Sequence, residues 1–279
     1  VIPCYNYGRY LKACVDSVVQ QSFQDVEIII VNDGSTDDSL EVAKALLETH
    51  ASQQITVIDQ HNAGEPAISR NRGIEKAVGD YLLCLDADDK ISPTFLTETV
   101  TALEQNPEFS IAYPVVQEFD QGQAKWASFA YDPYVLLHWN FVPVASVFRR
   151  QVWQDAAGYA QNIRGHEDWD FWIEAAQKRH FALSVPSAIF YYRIHGQSLL
   201  TTTTQAENHQ RLILKAKLVL NHASLYSEAQ NNWAQSVIHG CPAALAVDCD
   251  VSQVPFYHRK HIASEGSEVV AQWQAMVIK

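Results

Sequence analysis

Nothing in this 279-residue sequence stays apolar long enough to cross a bilayer. A spanning helix needs ~20 apolar residues in succession, and the longest runs here, such as Ile28 to Val31, are of strand length. Basic residues are scarce: 20 Lys and Arg stand against 32 Asp and Glu, a formal net charge of -12. That balance excludes a nucleic-acid surface, because backbone phosphates demand clustered Lys and Arg. It also means that binding a diphosphate requires a local cation. The five cysteines (Cys4, Cys14, Cys84, Cys241, Cys249) are odd in number and form no CxxC pair. Three of them sit inside apolar segments as small hydrophobes. No disulfide framework is expected, and the compartment reads as reducing and cytoplasmic. No GxGxxG follows a strand, which removes a nicotinamide dehydrogenase. A signal peptide is also lacking. The chain does not begin with Met, and Val1-Ile2-Pro3 reads as the end of a strand. Chain preceding Val1 is therefore expected, which leaves room there for a membrane anchor or a second module.

What is present is an ordinary core-forming composition, 47% hydrophobic and 19% charged. The length suits one large α/β domain, alone or with a smaller appendage. Up to about residue 115, β-branched runs alternate with helical spacings, the pattern of a parallel sheet with crossover helices. Val1-Ile2 is a strand stub, and Arg9 to Gln21 carries Leu11, Val15, Val18 and Val19 at helical spacing. Val26 to Val31 reads as a strand buried on both faces. Ser35 or Thr36 is expected to cap the next helix, with Asp37 and Asp38 facing its positive end. Ile55 to Ile58 is a third strand, Pro66 to Val78 a third helix and Tyr81 to Leu85 a fourth strand. Pro93 takes a first-turn position in a helix running to about Glu104. Beyond residue 115 an aromatic-rich loop region leads to a strand near Val144 to Phe148. A helix opens at Glu167-Asp168 and runs to about Lys178, and a strand interrupted by Pro186 covers Ala182 to Tyr192. Thr201 to Thr204 reads as a polar linker and residues 205–239 as helical.

Four segments carry chemistry. Leu85-Asp86-Ala87-Asp88-Asp89 closes an apolar strand at the edge where open parallel sheets bind ligands. Alternation along an extended strand sets Asp86 and Asp88 on one side. Two such carboxylates repel unless a hard cation, Mn²⁺ or Mg²⁺, joins them; an acidic turn is the competing explanation. Asn32-Asp33-Gly34-Ser35 follows a buried strand, where Gly34 permits a tight turn. That leaves Asp33 able to accept from the ring N–H of a base, although a plain strand-to-helix turn would look the same. Gly165-His166-Glu167-Asp168-Trp169-Asp170 offers more ionisable groups than a helix cap needs. Beside Trp169 and Trp172, it suggests a general base with an apolar platform for a sugar ring. Tyr192-Arg193-Ile194-His195 follows a strand, which makes His195 a candidate third metal ligand or else a structural histidine.

In order along the chain these are Pro3-Cys4-Tyr5-Asn6, Val31-Asn32-Asp33-Gly34-Ser35, Asn62-Ala63-Gly64, Ser69-Arg70-Asn71, Asp86-x-Asp88, Glu167-Asp168 and Arg193-x-His195. This succession resembles the inverting family 2 glycosyltransferases, which have the GT-A fold, a Rossmann-like, mostly parallel sheet flanked by helices. The resemblance covers residues 1–198 as a GT-A domain. Residues 199–279, outside it, are expected to form a helical C-terminal extension. The resemblance implies a nucleotide-sugar donor, UDP-linked, and a saccharide or other hydroxyl acceptor in surface polysaccharide or glycan synthesis. It implies that Asp33 contacts the base while Pro3, Tyr5 and Asn6 line the nucleoside pocket. Gly64 and Arg70 would lie near the nucleotide and sugar. Asp86 would approach the ribose and the metal, and Asp88 would ligate that metal with His195 completing the set. Asp168 would be the catalytic base, with Glu167 beside it. Peripheral attachment to the cytoplasmic face of a membrane is compatible with such a chain. One departure is visible: Glu65-Pro66 follows Gly64, where small or polar residues are more familiar. The competing readings are a sugar-phosphate nucleotidyltransferase, which would want a Gly-rich loop where Tyr5-Asn6-Tyr7-Gly8-Arg9 stands, and a non-catalytic nucleotide-sugar-binding module.

Overall fold

The structure, a computed structural model, describes residues 1–196 and 208–240. The chain runs β1 (Ile2–Cys4), α1 (Gly8–Val19), β2 (Glu27–Asp33), α2 (Ser39–Thr49), β3 (Gln54–Gln60), α3 (Pro66–Lys76), β4 (Tyr81–Leu83) and β5 (Lys90–Ile91). It continues α4 (Phe95–Gln105), β6 (Ile111–Asp120), α5 (Pro133–Leu136), β7 (Val147–Arg149), α6 (Arg150–Asp155), α7 (Glu167–Gln177) and β8 (Ala182–Ile194). Two further helices follow, α8 (Asn208–Asn221) and α9 (Glu228–Ile238).

The first three strands form a parallel sheet in the order β1-β2-β3. Every residue of β2 from Ile28 to Asp33 is buried, as a run of β-branched side chains covered on both faces requires. The second sheet, β4-β7-β6-β8-β5, is mixed, with β6 and β8 parallel and the other pairs antiparallel. The two sheets meet at Val1. Its amino group donates to the Leu83 carbonyl (2.8 Å), and its own carbonyl accepts from Leu85 N–H (3.0 Å). One core joins α1, α2 and α4 to the sheets through Leu11, Val15, Ile30, Phe95 and Phe190. The other joins α3, α7, α8 and α9 through Ile74, Phe148, Trp172, Leu218 and Val237. The described part of the C-terminal segment therefore shares a core with the rest of the chain.

Several expectations need correction. Neither Ser35 nor Thr36 caps α2, which starts at Ser39 without a side-chain cap; Ser35 instead accepts from Asn6 N–H (3.0 Å). The fourth strand ends at Leu83, and Asp86 to Asp89 is a tight turn closed by Asp89 N–H on the Asp86 carbonyl (3.0 Å). Strand alternation is thus not what aligns the two aspartates. Pro93 lies in the turn before α4 rather than in its first turn. The helical stretch at 205–239 is broken after Asn221 by a 3-10 turn over Ala223–Leu225, and a capping box of Ser227 with Gln230 starts α9 afresh. Residue 205, the linker Thr201 to Thr204, residues 241–279, Cys241 and Cys249 lie outside the described residues. Cys4, Cys14 and Cys84 are buried free thiols. Among the described residues no helix is long and apolar enough to cross a membrane.

Candidate active site

The C-terminal ends of β1 and β2, the start of α3 and the turn after β4 enclose a cavity of about 690 Å³. Pro3, Tyr5, Asp33, Arg70, Asp86 and Asp88 all line it, together with Asn6 and Gly64. A second cavity of about 650 Å³, at the opposite end of the strands, contains none of the candidate site residues.

The floor is set by backbone. Gly34 has φ +66, and a Cβ there would come within 2.5 Å of the Asn62 nitrogen, so this turn needs glycine. The approach brings the loop after β3 against Asp33. Asp33 Oδ1 accepts from Gln60 Nε2 (2.5 Å) and from Ala63 N–H (3.0 Å). Asn6, itself at φ +58, accepts from Thr36 N–H (2.7 Å) and so ties the β1 end to the β2 loop. Tyr5 is left 45% exposed at the cavity rim.

The acidic wall is the Asp86–Asp89 turn, and the end of β8 latches it. Arg193 N–H donates to Asp89 Oδ1 (2.7 Å), and its Nε donates to the Asp88 carbonyl (2.7 Å). His195 Nε2 lies 2.9 Å from Asp88 Oδ2. Tyr7 and Tyr10 pack on the His195 ring at centroid distances of 5.6 and 5.2 Å. Burial and then the charge of Asp86 push the Asp88 carboxyl above its usual range. Asp89 is pushed up further by burial and by both neighbours. Accumulated negative charge of this kind is what a divalent cation relieves, and the carboxylate oxygens suit a hard ion such as Mn²⁺ or Mg²⁺. Among the described residues, no three His, Cys, Asp or Glu side chains are already arranged to hold an ion. Asp86 Oδ1 is turned toward Arg70 NH2 (2.8 Å).

Arg70 joins this wall to α7. Its NH1 donates to Glu167 Oε1 (2.6 Å), so a buried guanidinium spans two carboxylates from different elements. Glu167 is 4% exposed and also accepts from Gly165 N–H. Asp168, next to it, accepts from Asn140 Nδ2 (3.0 Å) and from Trp169 N–H (2.8 Å). Burial and then the Glu167 charge raise the Asp168 carboxyl to about 6, against the lowering effect of Arg70. Neither Glu167 nor Asp168 lines the cavity itself. The tryptophans expected as a sugar platform are interior: Trp169 is 8% exposed with Nε1 donating to the Leu136 carbonyl, and Trp172 is 1% exposed. They fall on the core face of α7 with Phe171 and Ile173.

Sequence reasoning missed Arg164, which lines the cavity, and Asn140, which orients Asp168; Tyr192, quoted only as the start of the His195 segment, lines the cavity as well. A single Arg or Asn on an irregular loop carries no periodic signal. Only its proximity to Glu167-Asp168 could have marked Arg164.

Residues 1–156, more than half of the chain, match the family described as Glycosyl transferase family 2, and the chain belongs to that family. It is therefore a glycosyltransferase, with the GT-A fold. Among its relatives is the uncharacterized glycosyltransferase YibD of Escherichia coli K12. The two are 40% identical over 112 residues, covering 40% of this chain and 31% of YibD, so the match spans about a third of that protein. Glycosyltransferase GlyG of Streptococcus pneumoniae is 25% identical over 249 residues, covering 85% of this chain and 76% of GlyG. In fold the chain is similar to S. aureus TarS 1-349 in complex with UDP-GlcNAc (TM-score 0.65, 18% identity, 84% of this chain and 69% of that one). It is also similar to the mannosyltransferase PcManGT of Pyrobaculum calidifontis in complex with GDP-Man and Mn2+ (TM-score 0.61, 16% identity, 99% and 83%).

Proposed function

We propose that this chain transfers a sugar from a nucleotide-sugar donor, UDP-linked, to a hydroxyl of a saccharide acceptor, with inversion and with dependence on a divalent metal. The observation that carries this reading is the cavity at the strand ends, which Asp33 and the Asp86–Asp88 turn both line and whose volume of about 690 Å³ suits a nucleotide. In this reading residues 1–198 form the catalytic domain and residues 199–279 its extension. Pro3, Tyr5 and Asn6 bound the nucleoside, and the remaining lone pairs of Asp33 accept from the base. Gly64 leaves room for the phosphates, and Arg70 fixes the distance between the donor wall and α7. Asp86 and Asp88 would hold the ion, with His195 as third ligand, and the ion would supply counter-charge for the departing diphosphate.

Asp168 removes the proton from the acceptor hydroxyl. The acceptor oxygen then bonds to the anomeric carbon on the face opposite the breaking carbon–phosphate-oxygen bond, and the electron pair leaves with the nucleoside diphosphate. A carboxyl raised to about 6 is suited to this work, being ionised at neutral pH yet basic enough to take the proton. Glu167, held by Arg70 and Gly165, positions its neighbour. Work in the cytoplasm or at the cytoplasmic face of a membrane is supported by the buried free thiols, and synthesis of a surface polysaccharide or glycan is what the resemblance to the family implies. The test is proton NMR of the product formed from a UDP-sugar of defined anomer in the presence of Mn²⁺. The opposite anomeric configuration is expected, and retention would overturn the mechanism.

A further inference from the structure

Two basic residues, Arg70 and Arg164, line the nucleotide cavity. Arg70 is not available to a ligand phosphate, since both terminal nitrogens are bound to carboxylates and its side chain is 5% exposed. Arg164 is the reverse case. It is exposed, and among the described residues it makes no hydrogen bond and no ion pair. Its backbone, by contrast, is well held. Ile163 before it is fully buried, Gly165 after it is pinned to Glu167, and His166 N–H closes a turn on the Ile163 carbonyl (2.9 Å). A fixed loop thus presents an uncommitted guanidinium to the cavity. Glu65, the residue that departs from the family pattern, lines the same cavity, lies within range of the Arg164 charge and keeps one carboxylate oxygen without a hydrogen-bond partner.

Charge balance decides what this guanidinium is for. The cavity walls carry Asp33, Glu65, Asp86 and Asp88, in a chain of net charge -12. A nucleoside diphosphate adds two to three negative charges to that wall. One divalent ion shared with Asp86 and Asp88 leaves the phosphates under-compensated, and Arg70 is already neutralised. A guanidinium fork matches phosphate oxygens in geometry as well as charge.

We propose that Arg164 binds the diphosphate of the donor nucleotide, supplying the counter-charge that the acidic cavity lacks. This rests on the nucleotide-sugar reading above, and its test separates the two. Binding of the nucleoside, its monophosphate and its diphosphate, in both the uridine and the guanosine series, is measured by calorimetry with Mn²⁺ for wild type, Arg164→Gln and Arg164→Lys. Circular dichroism melts accompany each variant. If wild type binds a diphosphate, Arg164→Gln should weaken it by about tenfold to a hundredfold while the nucleoside stays within about twofold. Arg164→Lys should recover part of the loss. Equal affinity of wild type and Arg164→Gln for the diphosphate, or equal losses for nucleoside and diphosphate, would overturn the role of Arg164 and leave the enzyme reading standing. A wild type that binds no nucleotide of either series would remove both.

Discussion

Arg70→Met removes the cation that ties the donor wall to α7 while keeping a long apolar stem. The guanidinium sits 2.6 Å from Glu167 Oε1 and 2.8 Å from Asp86 Oδ1. The two contacts differ in weight because Glu167 is 5% exposed at its side chain and Asp86 31%. Leaving a buried carboxylate uncompensated costs about 3–5 kcal/mol. The partly solvated Asp86 contact adds ~1 kcal/mol or less. The total of about 3–6 kcal/mol corresponds to a fall in melting temperature of roughly 6–24 °C for a chain of this size. Urea unfolding at pH 7.5, followed by the fluorescence of the seven tryptophans, measures it. Adding Glu167→Gln to the variant should restore part of the loss, since the uncompensated charge is then gone. In any transfer assay the acid limb should also move to higher pH, because Arg70 holds the Asp168 carboxyl down. A variant within about 1 kcal/mol of wild type would refute the view that this ion pair is a buried strut.

Asp168→Asn keeps shape but cannot accept a proton at neutral pH. It should retain the melting temperature and donor binding while turnover falls about 10²–10⁴-fold; Glu167→Gln losing turnover instead would shift the base by one residue. For wild type, turnover should drop about tenfold per pH unit below ~6, as Asp168 becomes protonated, and level off above; a flat profile down to pH 5 contradicts it. Asp33→Ala should weaken UDP binding by about 1–3 kcal/mol, and an unchanged dissociation constant in calorimetry would return Asp33 to a turn role. His222, 3.1 Å from Asp170 and 3.4 Å from Glu174, is raised to about 9 against its desolvation. Lys178 also pairs with Glu174, and Asn221 donates to Asp170, whose charge reaches Tyr226 as well. A raised histidine stabilises fully below its unfolded value of 6.5, and that contribution, at most about 3 kcal/mol, is lost as pH rises through 9. Melts of wild type and His222→Gln should therefore converge between pH 6.5 and 9; a constant difference would count against the pairing.

Legibility in the sequence followed how local each signal was. β2 was plain because four consecutive β-branched residues have no other comfortable home than a doubly covered strand. Helical spacing of Leu11, Val15 and Val18 made α1 plain in the same local way. β6 was missed, although it lies between β7 and β8 in its sheet, because Pro114 reads as a breaker. The structure absorbs that proline at an irregularity: Pro114 faces Val185 and Val115 faces Ile189, so Pro186 sits in the bulge opposite. Only the pairing of two distant segments makes either proline harmless. Of the site, Asp33, Asp86, Asp88 and His195 were legible as strand-end motifs, and the cavity gathers the first three while His195 lies against Asp88. Trp169 and Trp172 misled because an aromatic beside carboxylates has the same local sequence whether it faces a ligand or the core. The Asp86–Arg70–Glu167 bridge spans 97 positions at its longer arm, a juxtaposition no local pattern encodes.

Calorimetric titration of wild type and Asp88→Asn with UDP-, GDP- and dTDP-sugars, each with and without Mn²⁺, bears most directly on metal-dependent sugar transfer at this cavity. Wild type should bind a UDP-sugar saturably only when Mn²⁺ is present, and Asp88→Asn should lose that metal-dependent binding while melting normally. Tight binding that ignores both the metal and the substitution, or no binding of any nucleotide sugar, would contradict it.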